Sequence, residues 1–224
     1  MTDKERMKLS DLNDRHLGET VYIIGCAPTL NKLTDKEISF LNDSVTIGVN
    51  FSHLKIRLKY WIGGHIEQTA FALESNLPED VPIIASADHR MAHIHQVWDN
   101  LRVVPMNDVD PMLPLSRHVD QNQSLYGATS IILSATHLAY IMGAKKIVYL
   151  GFEGENSLHF YTDDEKLRVS TINKIEEILD SKKYFREINY DLPQYGVNPF
   201  LNIHRAFDYM MNEDVPNCHF APRE

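Results

Sequence analysis

Only two cysteines, Cys26 and Cys218, occur in the 224 residues, and neither belongs to a CxxC pair. That scarcity excludes a disulfide framework and a zinc ribbon, and it suits a reducing cytoplasm. No apolar run approaches the ~20 residues needed to span a bilayer. No basic amphipathic stretch marks a membrane-surface anchor, and the polar start, residues 1–6, leads into no secretory h-region. Positive charge is also short. The 22 Lys and Arg stand against 31 Asp and Glu, for a net charge of −9, and they are scattered along the chain. A broad footprint for nucleic-acid phosphates is therefore not expected. DNA would need a local basic strip, from Lys55, Arg57 and Lys59 or from Arg90, Arg102 and Arg117, beside a site. GxGxxG, a Walker A motif with its GK[ST], and HExxH are all missing. His89, His93 and His95 lie close together but lack an adjacent Glu and an identifiable third ligand, so no metal is assigned to them.

What is present is a chain that is 43% hydrophobic, enough for one globular domain over residues 1–224. Short β-branched and aromatic runs at 19–25 (ETVYIIG), 44–51 (SVTIGVNF), 58–62 (LKYWI), 81–86 (VPIIAS) and 145–152 (KKIVYLGF) predict strands, with a further short one at 101–105. Residues 31–42 and 67–75 are helix-compatible, 127–142 has helical spacing and is stopped by Gly143, and 167–179 and 201–211 read as amphipathic helices. Residues 108–123 carry two prolines and little periodicity, which predicts a long loop of the kind that is often functional or mobile. Near-continuous apolar strands separated by helices imply strands covered on both faces. The expected fold is an α/β, Rossmann-like, doubly wound and mainly parallel sheet with helices on both faces. In such a sheet ligands collect at the carboxyl ends of the strands, which directs attention to residues 25–30, Asn50, 63–65 and 152–161.

The turn Gly25-Cys26-Ala27-Pro28-Thr29-Leu30 offers small residues before an expected helix, a combination that suits phosphate as well as an ordinary strand-to-helix turn. Asn50, at a strand end, suits a sugar hydroxyl, a phosphate oxygen or a simple turn. His159 follows the 145–152 strand, and an imidazole there fits a general base for an acceptor hydroxyl or a solvated loop residue. Asp108-Val109-Asp110 is a DxD triplet of the type that holds Mg²⁺ and a sugar diphosphate.

Two stretches together resemble the sialyltransferase-like superfamily, including bacterial sialyltransferases and the related 6-hydroxymethylpterin diphosphokinase and motility-accessory glycosyltransferase-like family. In the first, a strand enters Gly25-Cys26-Ala27-Pro28-Thr29-Leu30, similar to the G-N-G-P-S-L turn of those enzymes, and Val49-Asn50-Phe51 ends the next strand. Cys26 stands where those enzymes have an amide. The second stretch runs from Tyr126-Gly127-Ala128-Thr129 through an Ala-containing helix to a strand ending Gly151-Phe152, then His159-Phe160-Tyr161. The resemblance covers residues 19–165. It implies metal-independent transfer of a sugar from a nucleotide-sugar donor to an acceptor hydroxyl on a surface glycan or on a hydroxymethylated base of viral DNA. Gly25, Cys26, Ala27, Pro28, Thr29, Asn50, Tyr126, Gly127, Ala128, Thr129, Gly151 and Phe152 would lie on the donor side. His159, as base or donor-phosphate ligand, and Tyr161 would lie at the chemistry. The same loop permits two alternatives: a diphosphokinase-like enzyme using Mg²⁺ on Asp108 and Asp110 to act on a pterin-type alcohol, or a non-catalytic nucleotide-binding domain.

Overall fold

The computed structural model describes residues 7–64, 66–75, 77–86, 103–109, 124–126, 131–152, 160, 173 and 218–220. Among these are eight strands: β1 (Thr20–Ile24), β2 (Val45–Val49), β3 (Tyr60–Gly63), β4 (Ile83–Ser86), β5 (Val103–Val109), β6 (Ser124–Tyr126), β7 (Lys146–Leu150) and β8 (Cys218–Phe220). They form one sheet in the order β6-β5-β4-β3-β2-β1-β7-β8, with parallel pairing at every interface. The α-helices with described bounds are α1 (Asp35–Asp43), α2 (Ile66–Glu74) and α3 (Ile131–Ile141).

Alternation along each strand divides the core into two layers. Val21 and Ile23 of β1, Ile47 and Val49 of β2, Tyr60 and Ile62 of β3, and Ile147 and Tyr149 of β7 pack with α3 and with Leu9 and Leu12 of the amino-terminal segment. The intervening residues, Ile24, Trp61, Ile83 and Ala85, face the other way with Leu41 of α1 and Ala70, Phe71 and Ala72 of α2. A sheet apolar on both faces must be covered on both, and helices do so here. Crossovers between parallel strands are right-handed, so a chain building away from β1 places its helices on one face, and on reversing it must use the other. α1 and α2 accompany the outward course β1 to β4. α3 accompanies the return from β6 to β7.

α3 is buried along almost its whole length, with Ile132, Leu133, Leu138 and Ile141 at 0–4% exposure. Each such side chain contributes about 1.5–3 kcal/mol relative to an exposed one. The helix ends where expected, the Gly143 amide bonding to the Tyr140 carbonyl and the Ala144 amide to the Ala139 carbonyl. Two local expectations change. The helix foreseen at 31–42 is split: Pro28–Lys32 forms a 3-10 turn, and α1 starts only after Thr34. Thr34 Oγ accepts from the Glu37 amide while the Glu37 carboxylate accepts from the Thr34 amide, which fixes the start. The short strand foreseen at 101–105 is β5, extending to Val109, so Asp108 belongs to a strand paired with Leu125 rather than to a loop. The remaining loop residues, 110–123, and the helices expected at 167–179 and 201–211 lie outside the described residues, apart from Ile172's neighbour Asn173, which is helical.

Candidate functional site at the reversal of strand order

The chain reverses between β1 and β7, and their carboxyl ends lie side by side, with Ile24 opposite Leu150. In doubly wound sheets the helices leaving two such strands diverge to opposite faces, and ligands bind in the crevice at this reversal point. Gly25 and Gly151 form its floor. The Gly25 amide donates to the Leu150 carbonyl at 2.8 Å and the Ala27 amide to the Gly151 carbonyl at 2.9 Å. A Cβ on Gly25 would collide with the Gly151 carbonyl, so only glycine allows this approach. Gly151 has φ +67°, and Leu30 fills the space a side chain there would need. Phe152 is half-buried beside Tyr149.

The turn itself differs from an amide cradle in front of an α-helix. Gly25, Ala27 and Leu30 have their amides bonded to Leu150, Gly151 and Ala27 carbonyls, and Pro28 has none. The α-helix that follows carries Glu37 in its first turn, whose carboxyl is held below its ordinary range by hydrogen bonds from Thr34. Cys26 points into the core: its thiol donates to the Val49 carbonyl at 3.4 Å, and burial pushes its pKa up to about 12. A neutral thiol in that position offers a ligand neither charge nor a free donor. Thr29 and Asn50 are the polar side chains that the turn and the β2 end contribute.

Asn50 has the left-handed backbone, φ 51°, a conformation that Asn tolerates better than most residues. Its carbonyl accepts from Trp61 Nε1 at 2.6 Å and from His53 Nδ1 at 3.1 Å. His53 Nε2 in turn accepts from Ser75 Oγ at 2.9 Å. Burial lowers the His53 pKa to about 4, so the imidazole is neutral and acts as a brace. With the backbone held this way, Asn50 Oδ1 is buried and has no hydrogen-bond partner among the described residues, a state that costs free energy unless a ligand donor meets it. Sequence reasoning had marked Asn50 but not its support by His53, Trp61 and Ser75, which comes from elements distant in sequence.

No protein-family model and no curated protein matches this chain.

Not all the sequence-derived residues converge. Tyr126 ends β6, five strands from β1 in the sheet order, a separation on the order of 24 Å at the usual strand spacing. It is therefore at the sheet edge and not beside Gly25. Asp108 in β5 is four strands away, roughly 19 Å, so a metal on the DxD triplet would not serve the β1/β7 crevice. Among the described residues no group of three or more His, Cys, Asp or Glu is arranged to hold a metal. Gly127, Ala128, Thr129, Asp110, His159 and Tyr161 lie outside the described residues. Phe160, however, is described: it is buried against Cys26 and Leu30, its amide donates to the Cys26 carbonyl at 2.7 Å, and its carbonyl accepts from Asn31 Nδ2 at 2.9 Å. Gly63 ends β3 at the same end of the sheet, and the first described turn of α3 comes close to Gly64. Of the basic strips, Arg57 and Lys59 precede β3 and face the amino end of the sheet, away from the crevice, and Arg90, Arg102 and Arg117 lie outside the described residues.

Proposed function

We propose that the chain binds a nucleotide-linked substrate in the β1/β7 crevice and transfers a sugar from it to an acceptor hydroxyl. The observation that carries this reading is the unpartnered, buried Oδ1 of Asn50 at the carboxyl end of β2, next to the reversal point floored by Gly25 and Gly151. An acceptor atom held there calls for a ligand O–H or N–H, such as a ribose hydroxyl or a base amine. The Phe160 hydrogen bonds to the turn support joining the two sequence stretches in one site. In this mechanism His159 removes the acceptor proton while Thr29 and Asn50 hold the departing nucleotide. The acceptor is a glycan or another hydroxyl-bearing molecule. A DNA acceptor has little support, because the Arg57 and Lys59 strip faces the other end of the sheet.

A thermal-shift panel of CMP-, UDP- and GDP-sugars, free nucleotides and ATP, with and without Mg²⁺, tests the reading, since stabilisation follows affinity. Stabilisation by one nucleotide-sugar class without Mg²⁺ is expected. Asn50→Ala should weaken that ligand by about tenfold, the equivalent of one buried hydrogen bond. His159→Ala should bind it normally and fail to transfer. Binding of ATP only with Mg²⁺ would favour a diphosphokinase-like reaction. Nucleotide binding with no transfer to any acceptor would favour a non-catalytic domain.

A further inference from the structure

At the opposite end of the sheet, the amino ends of β2, β3 and β4 and the segment before β1 line an open cavity of about 240 Å³. Its wall carries Arg15, Arg57 and Lys59 together with Asp43 and Asp80. None of the five is in an ion pair among the described residues. Arg57 and Lys59 flank buried Leu58, and both line the cavity. Their backbone is fixed by the Arg57 amide bonding to Asn42 Oδ1 at 2.9 Å and the Lys59 amide to Thr46 Oγ at 3.0 Å.

Deeper in, the Tyr60 hydroxyl lies 2.9 Å from His16 Nε2, and His16 Nδ1 lies 3.0 Å from the Glu19 carboxylate. A carboxylate only accepts, so Nδ1 carries a proton toward Glu19. Glu19 is thereby engaged with His16, leaving three cations and two carboxylates facing the cavity. A bare anion would satisfy the cations and repel Asp43 and Asp80. A neutral polyol would satisfy the carboxylates and leave the cations without a partner. These five side chains are exposed, and a ligand with an anionic end and hydroxyl donors complements both sets. The volume is below the roughly 300–1,000 Å³ of sites for drug-sized ligands, so the ligand is small.

We infer that this cavity is a second binding site, separate from the crevice, for a small phosphorylated polyol: Arg15, Arg57 and Lys59 take the phosphate, and Asp43 and Asp80 accept from the hydroxyls. Titration calorimetry with glycerol 3-phosphate, inorganic phosphate and glycerol tests it. Glycerol 3-phosphate is expected to bind saturably and at least about fivefold more tightly than either fragment, a difference of about 1 kcal/mol. Arg57→Gln and Lys59→Gln, both at exposed positions, should each weaken it by about tenfold with an unchanged circular dichroism spectrum. Asn50→Ala should leave it unaffected. Absence of saturable binding, equal affinity for inorganic phosphate, or undiminished binding in the Arg57→Gln/Lys59→Gln double variant would overturn the inference, as would loss of binding in Asn50→Ala, which would put the ligand in the crevice.

Discussion

Single atoms decide the two ends of this sheet. At Gly25 a methyl group has nowhere to go, because the Gly151 carbonyl occupies its place. Gly25→Ala should force β1 and β7 apart and cost about 1–3 kcal/mol, the usual range for overpacking, measured as a lower urea midpoint with unchanged slope. Wild-type stability in that variant would mean the two strand ends do not approach as described. His53 gives a different signature. Its pKa is lowered from 6.5 to about 4 by burial, so between those values the unfolded chain binds the extra proton. The folded state's advantage is complete above pH 6.5 and is lost as the pH falls toward 4, by on the order of 3 kcal/mol. In His53→Gln that part of the acid sensitivity should vanish, which urea titrations of both proteins at pH 7 and pH 4.5 would measure as a smaller difference in the variant. Of these features, Gly25 and Asn50 were legible in sequence, since a glycine and an asparagine at strand ends announce special backbone. His53 was not, because a histidine in a short connection looks solvated until Trp61 and Ser75 are known to pack around it.

At the scale of elements, capping decides where the first helix begins. Composition alone suggested that it follows the glycine turn directly, but Pro28–Lys32 makes a 3-10 turn and the Thr34 and Glu37 pair starts α1 three residues later. The T-x-x-E signal is present in the sequence and places the start more sharply than the helix-compatible composition of 31–42. Thr34→Ala should remove one side of the reciprocal bond and lower stability by about 0.5–2 kcal/mol, with a matching loss of protection in the α1 amides by hydrogen exchange. An unchanged α1 would show that packing of Leu41, not the cap, holds that helix. β5 is the converse case. Val103 and Val104 were legible as strand, whereas its continuation through Asn107 and Asp108 depends on the partner β6, whose three residues carry no strand signal of their own.

For the whole molecule, strand order matters most. β1 is paired on both sides, by β2 and β7, and its side chains are covered on both faces, whereas β6 is a three-residue strand paired, among the described residues, to β5 alone. Amides of residues 21–24 should therefore exchange only through global unfolding and those of 124–126 through smaller openings, so their measured opening free energies should differ. Equal exchange in the two strands would contradict this order. By itself the sequence determined the class of fold and the central elements: near-continuous apolar strands, helices between them, and small or amide residues at the strand ends follow from local chemistry. Only the tertiary structure decided which of those ends are neighbours. It set Gly25 against Gly151 and left Asn50 Oδ1 without a partner. It turned Cys26 into the core, moved Tyr126 and Asp108 four and five strands away from the crevice in the opposite order of their naming, and gathered Arg15, Arg57 and Lys59 at the far end. The reason is that parallel strands pair through crossovers, so adjacency in the sheet is set by how long-range packing closes, which no local pattern encodes.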